Sequence, residues 1–115
     1  MILDSVVLYT NDIEKVTEFY RDFLGMKMDY QTPERFVQFS FENGVKLGIK
    51  KTKEEREKPG SQTIFIQAEN VEDLYEEFKQ KGVKFYKELK IEEWATEFAI
   101  LDPDGNKVEF IRRSK

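Results

Sequence analysis

The 115 residues include no cysteine and no histidine. The first absence excludes disulfides, thiolate nucleophiles, zinc ribbons and iron–sulfur clusters. The second removes the commonest general base, the commonest metal ligand and the side chain that titrates nearest neutral pH. Chemistry is left to carboxylates, amines, hydroxyls and backbone dipoles. Long apolar runs are missing too. No stretch approaches the roughly 20 residues of a spanning helix, and the first nine residues carry neither the basic flank nor the cleavage site of a signal peptide. The expectation is a cytoplasmic protein with no membrane partner. Positive charge is not in excess: 19 Lys and Arg stand against 23 Asp and Glu, a net charge of −4. Such a balance matches a phosphate polyanion poorly, so nucleic acid is not an expected partner.

What is present is a repeat in a chain of single-domain length. Asn11 is placed to cap a first helix, with Glu14 closing a capping box. Ile13, Val16, Phe19, Tyr20 and Phe23 then recur at helical spacing, and Gly25 supplies a left-handed stop. A second helix starts near Asn70, carries Val71, Leu74, Tyr75 and Phe78, and stops at Gly82. An offset of 58 residues superposes the two, pairing Ile13 with Val71 and Tyr20 with Phe78. The same comparison aligns the preceding strands and the following hairpins, whose turns contain Asn43-Gly44 and Asp104-Gly105. Each half reads strand–helix–strand–strand–strand. Module 1 covers about 1–51, module 2 about 62–115, and the charged, Pro-Gly-containing stretch 52–61 reads as a linker.

This order resembles the vicinal oxygen chelate superfamily, the group of glyoxalases, bleomycin-resistance proteins and dioxygenases. The stretch Asp102-Pro103-Asp104-Gly105-Asn106-Lys107-Val108-Glu109-Phe110 looks like its most recognisable motif. Leu8-Tyr9-Thr10-Asn11-Asp12 with Phe19-Tyr20 and Leu24-Gly25 is similar to its N-terminal pattern. The resemblance implies an α+β fold: two tandem βαβββ modules forming an eight-stranded cup, with helices on the outside. Independently of it, Pro103 and Gly105 suit a tight turn, and the aspartates beside them read as turn residues before catalysts.

Strand alternation within that fold puts Tyr9, Phe36, Gln38, Ser40, Phe65, Gln67 and Glu97 on the cavity side. Val6, Leu8, Val37, Phe39, Phe41, Ile64, Ile66, Phe98, Ile100, Val108 and Phe110 pack under the helices. Trp94, the one tryptophan, falls where the cup has its rim and can stack on a planar ligand or pack on a neighbour. With Tyr9, Phe36 and Phe65 it gives a partly aromatic ligand site.

The resemblance implies metal ligands at Ser5, Gly48, Thr63 and Glu109. Of these, Glu109 alone offers a charged donor, short of the three strong ligands a catalytic site needs. The expectation is therefore no metal and no cofactor. Glu109 has two readings: a buried base, or a carboxylate paired with Lys46, Lys50 or Lys107. The functional expectation is a non-catalytic protein that binds a small molecule, resembling the bleomycin-resistance branch, as a homodimer. The alternatives are a lyase, isomerase or dioxygenase using Glu109, or a regulatory subunit whose cup is filled by its own aromatic side chains.

Overall fold

A computed structural model describes residues 1–115. The chain divides into two compact units, Met1–Gly60 and Ser61–Lys115. In unit 1, β1 (Ser5–Thr10) leads into α1 (Ile13–Thr17), followed by a π-helical turn (Glu18–Phe23), β2 (Lys27–Thr32), β3 (Phe36–Ser40) and β4 (Lys46–Lys51). In unit 2, β5 (Thr63–Gln67), α2 (Val71–Gln80), β6 (Phe85–Ile91), β7 (Ala95–Leu101) and β8 (Lys107–Arg113) repeat that path. The eight strands form two four-stranded sheets of matching order, β1-β4-β3-β2 and β5-β8-β7-β6. The first strand of each sheet runs parallel to the last, and the other pairings are antiparallel. This is the α+β, twice βαβββ arrangement that the repeat implies.

Local chemistry sets the helix ends. Asp12, not Asn11, caps α1: its carboxylate accepts the Lys15 N–H at 3.1 Å. Asn11 instead accepts the Thr52 hydroxyl at 3.0 Å. The Thr17 hydroxyl donates to the Ile13 carbonyl at 2.6 Å, competing for the helical ladder. One turn later the Leu24 N–H reaches the Phe19 carbonyl at 2.9 Å, five residues back, which is the widened π register. The regular α-helix expected through Phe23 therefore opens after Thr17. In unit 2, Arg112 on β8 grips Glu72 in the first turn of α2 through two bonds of 2.5 and 2.9 Å. That grip holds the Glu72 carboxyl at a pKa of about 2.

Period-two alternation builds each core. Leu8, Val37, Phe39, Leu47 and Ile49 are buried with Val16 and Tyr20 of the helical segment. Phe98, Ile100, Val108 and Phe110 are buried with Val71, Tyr75 and Phe78 of α2. Phe98 stacks on Phe110 with ring centroids 5.1 Å apart. Val6 departs from the expected packing. It pairs with Leu47 near the start of β1 but is 43% exposed, so Leu8 is the one buried apolar side chain of that strand. Phe41, Ile64 and Ile66 reach only partial burial.

Candidate functional site

In unit 1 the strand register lays out the face opposite the core. Tyr9, Lys50 and Phe36 form one row, Val7, Gly48 and Gln38 the next, and Ser5, Lys46 and Ser40 the third. The six expected positions Ser5, Tyr9, Phe36, Gln38, Ser40 and Gly48 thus share one face. Their detail was not expected. The Phe36 ring lies on Gly48, where a Cβ would sit 2.7 Å from its Cζ and 2.9 Å from its Cε1. Tyr30 flanks the same ring at 6.2 Å between centroids. Gln38 donates to Asp29 at 3.1 Å, and Lys46 bonds the other Asp29 oxygen at 3.2 Å. The Gln38 bond, helped by Lys46, holds the Asp29 carboxyl below its ordinary value. This face is aromatic at its Phe36 end, where Lys50 also lies, and polar at its Ser40 end.

Unit 2 presents the counterpart face. Phe65, Glu109, Ala99 and Lys87 form one row, and Gln67, Ile111, Glu97 and Lys90 the next. Thr63, Phe65, Gln67, Glu97 and Glu109 therefore share it. Phe65 is 56% exposed. The Glu109 side chain is nearly covered, at 3% exposure. Of its three expected partners only Lys107 is found, and Lys87 joins it. Lys46 is bound to Asp29 and Lys50 to Glu57. Lys107 stands 3.8 Å from one Glu109 oxygen, and Lys87 donates to the other at 3.3 Å. Lys87 also donates to Glu97. The bond from Lys87 holds Glu97 below the usual carboxylate range against the effect of its burial, and Glu97 raises Lys87 in turn. Alternation alone could not reveal Lys87, because register shifts on both sides of it re-aim the residues of β6.

Two aromatic residues complete the description of unit 2. Trp94 lies just before β7, 66% exposed, with its carbonyl accepting the Ser114 N–H at 2.8 Å. Tyr86, which the sequence did not single out, is 62% exposed with the Lys107 ammonium 5.7 Å from its ring. The Asp102–Asn106 motif proves architectural. Asp102 Oδ1 accepts the N–H groups of Asp104 and Asn106 at 2.9 and 2.8 Å, and Oδ2 accepts the Asn106 amide at 3.0 Å. Asn106 in turn accepts the Gln62 N–H at 3.0 Å, fixing the entry to β5.

The four family metal positions do not fit a metal. Gly48 offers no donor, and the Phe36 ring fills the space a side chain there would need. The Glu109 oxygens are engaged by two ammonium groups. Ser5 and Thr63 supply weak neutral oxygens, and no group of three or more Asp or Glu residues converges where an ion could be held.

Comparison with known proteins agrees with the fold. A family model described as Glyoxalase/Bleomycin resistance protein/Dioxygenase superfamily matches residues 2–110. The uncharacterized protein YraH of Bacillus subtilis (strain 168) is 28% identical, over 97% of this chain and 98% of its own length. TnmS3, an antibiotic binding protein from Streptomyces sp. CB03234, superposes with a TM-score of 0.87 at 20% identity, over 99% of this chain and 97% of that one. Lactoylglutathione lyase from Agrobacterium tumefaciens superposes with a TM-score of 0.77 at 21% identity, over 97% and 92% of the two chains. A binder and a lyase share this architecture, so function rests on the side chains of the site.

Proposed function

The chain belongs to the Glyoxalase/Bleomycin resistance protein/Dioxygenase superfamily, and from that premise we propose that it is a metal-free binding protein for a planar, partly aromatic small molecule. The observation that carries this reading is the Phe36 ring seated on Gly48, where metal-dependent relatives would place a ligand. An aromatic surface stands where a cation would be held. On unit 1 Tyr9 and Phe36 supply flat apolar area for a ligand and Gln38 and Ser40 the polar atoms that orient it; on unit 2 Phe65 and Trp94, with Gln67 and Glu97, offer the same combination. The likeness to an antibiotic binding protein supports the same reading at the level of the fold.

The ion pairs of Glu109 support a structural role for it over a catalytic one. A general base must reach its substrate, whereas the Glu109 side chain is 3% exposed and ion-paired with Lys87 and Lys107. The test is a thermal-shift screen of planar aromatic compounds, bleomycin among them, run with and without added zinc, nickel, manganese and iron. The expected result is a melting point raised by aromatic compounds and indifferent to metal. Stoichiometric metal in the purified protein, or a turnover abolished by Glu109→Gln, would overturn the proposal.

A further inference from the structure

We infer that the cleft at the Phe36 end of unit 1 is a subsite for the anionic group of the ligand, making that ligand an aromatic acid. The inference rests on the aromatic-ligand reading above and adds the sign of the ligand's charge. The cleft has a volume of about 560 Å³, within the usual range for small-molecule sites. Arg35, Lys51 and Lys53 line it, together with Phe36 and the two threonines Thr32 and Thr52. Lys50 completes the wall, and no acidic residue lines it. Positive charge is therefore concentrated here in a chain whose net charge is −4.

Lysines on a protein surface are ordinarily solvated and need no ligand. Three observations separate this group from that case. First, the nine ion pairs of the protein include none on Arg35, Lys51 or Lys53. Glu34 and Glu54 adjoin Arg35 and Lys53 in the chain, yet neither lines the cleft. Second, the cations come from two segments of the chain and line one cleft, and a cleft lined by one sign of charge concentrates its field.

Third, the backbone that carries them is fixed. The Lys51 N–H donates to the Arg35 carbonyl at 2.8 Å, tying the two segments together. Beyond β4, Glu57 is almost fully buried. It accepts the N–H groups of Lys53 and Glu54 at 2.8 and 3.1 Å and the Lys50 ammonium at 2.5 Å. Lys50 is thus neutralised, while Lys53 has its backbone anchored and its ammonium in no ion pair. Phe36 is the aromatic residue of the lining, and Arg35 supplies the forked donor suited to a carboxylate or phosphate.

The test is isothermal titration with a matched series that shares one ring system: 1-naphthoate, 1-naphthyl phosphate, neutral 1-naphthalenemethanol and cationic 1-naphthylmethylammonium. Acetate and inorganic phosphate control for charge without the ring. The expected result is that one or both aromatic anions bind about tenfold more tightly than the neutral alcohol, with the cation weakest. Arg35→Gln/Lys53→Gln should erase that advantage, as should high salt, while Lys79→Gln leaves it intact. All three residues are exposed, and an unchanged melting point will show that each variant folds.

The stronger of the two aromatic anions identifies the acid as carboxylate or phosphate. Equal binding of anion, alcohol and cation would overturn the inference and leave the aromatic-ligand reading standing. Inorganic phosphate binding as tightly as naphthyl phosphate would keep the anion site and overturn the aromatic reading. No binding of any probe, or tighter binding of a single-stranded oligonucleotide than of either aromatic acid, would count against both.

Discussion

Phe36 and Gly48 are a matched pair: a Cβ at Gly48 would stand 2.7 Å from the Phe36 Cζ, so the ring lies where it does because residue 48 has no side chain. The expected outcome is a strong coupling between the two positions. Gly48→Ala should push the ring aside in the wild type and be tolerated in a Phe36→Ala background. The interaction energy is expected to be about 1 kcal/mol. Urea unfolding of the four proteins of the cycle measures it, and additive effects would show that the contact has no energetic weight.

Glu57 predicts a pH dependence. Its carboxyl is held at a pKa of about 2, chiefly by the Lys50 bond and then by the N–H groups of Glu54 and Lys53. An unfolded glutamate titrates near 4.3 (roughly). As pH falls the unfolded chain takes up the proton first, so the stabilisation is complete above about 4.3 and is lost as pH approaches 2. Glu57→Gln should therefore lower the urea midpoint at pH 7, with the gap to wild type closing across that acid window. A gap that persists unchanged at pH 2 would contradict the assignment. Glu72 titrates in the same range and is common to both proteins, so it cancels in the difference.

Lys87→Met leaves Glu109 buried with only the more distant Lys107, and leaves Glu97 without its hydrogen-bond donor. The expected loss at pH 7 is about 2 kcal/mol, less than for a fully buried pair because Lys87 is partly open to solvent. Without Lys87 the folded pKa of Glu97 rises, so the variant should recover relative to wild type as pH falls toward 4. Adding Glu97→Gln should restore part of the loss. Denaturant titrations at two pH values decide the matter.

Asp102→Ala removes the acceptor for two N–H groups and the Asn106 amide in a buried turn. The expected cost is about 2 kcal/mol, mostly the penalty for stranding those donors. Asp102→Asn keeps one acceptor oxygen and should cost less. Thermal melts of the two variants rank them, and equal stability would show that water satisfies the turn as well as the side chain does.

These residues also mark how far the sequence could be read. The path of both modules follows from features that are local in the chain: helical spacing, the glycine stops and the Asn-Gly and Asp-Gly hairpins. Strand parity then put Ser5, Tyr9, Phe36, Gln38, Ser40 and Gly48 on one face and Thr63, Phe65, Gln67, Glu97 and Glu109 on another. It failed where the backbone departs from regularity. The bulges of β6 turned Lys87 onto Glu109, and the Thr17 hydroxyl opened the helix after it. Glu57 lies in a stretch whose composition suggests a linker, and its anchoring depends on Lys50, a strand residue whose side-chain partner no periodicity reveals.

The parallel ladders have a consequence for how the chain is made. In each sheet the first strand pairs with the last, Ser5 with Lys46 and Thr63 with Lys107. Neither sheet can close until its whole module has been synthesised, and every strand pairing lies within a single module. Forming the sheets thus requires closing a loop of about forty residues twice, and not one closure across the whole chain. On the ribosome, unit 1 has all its strand partners once β4 has emerged, and its Glu57 anchor a few residues later, before any strand of unit 2 has emerged.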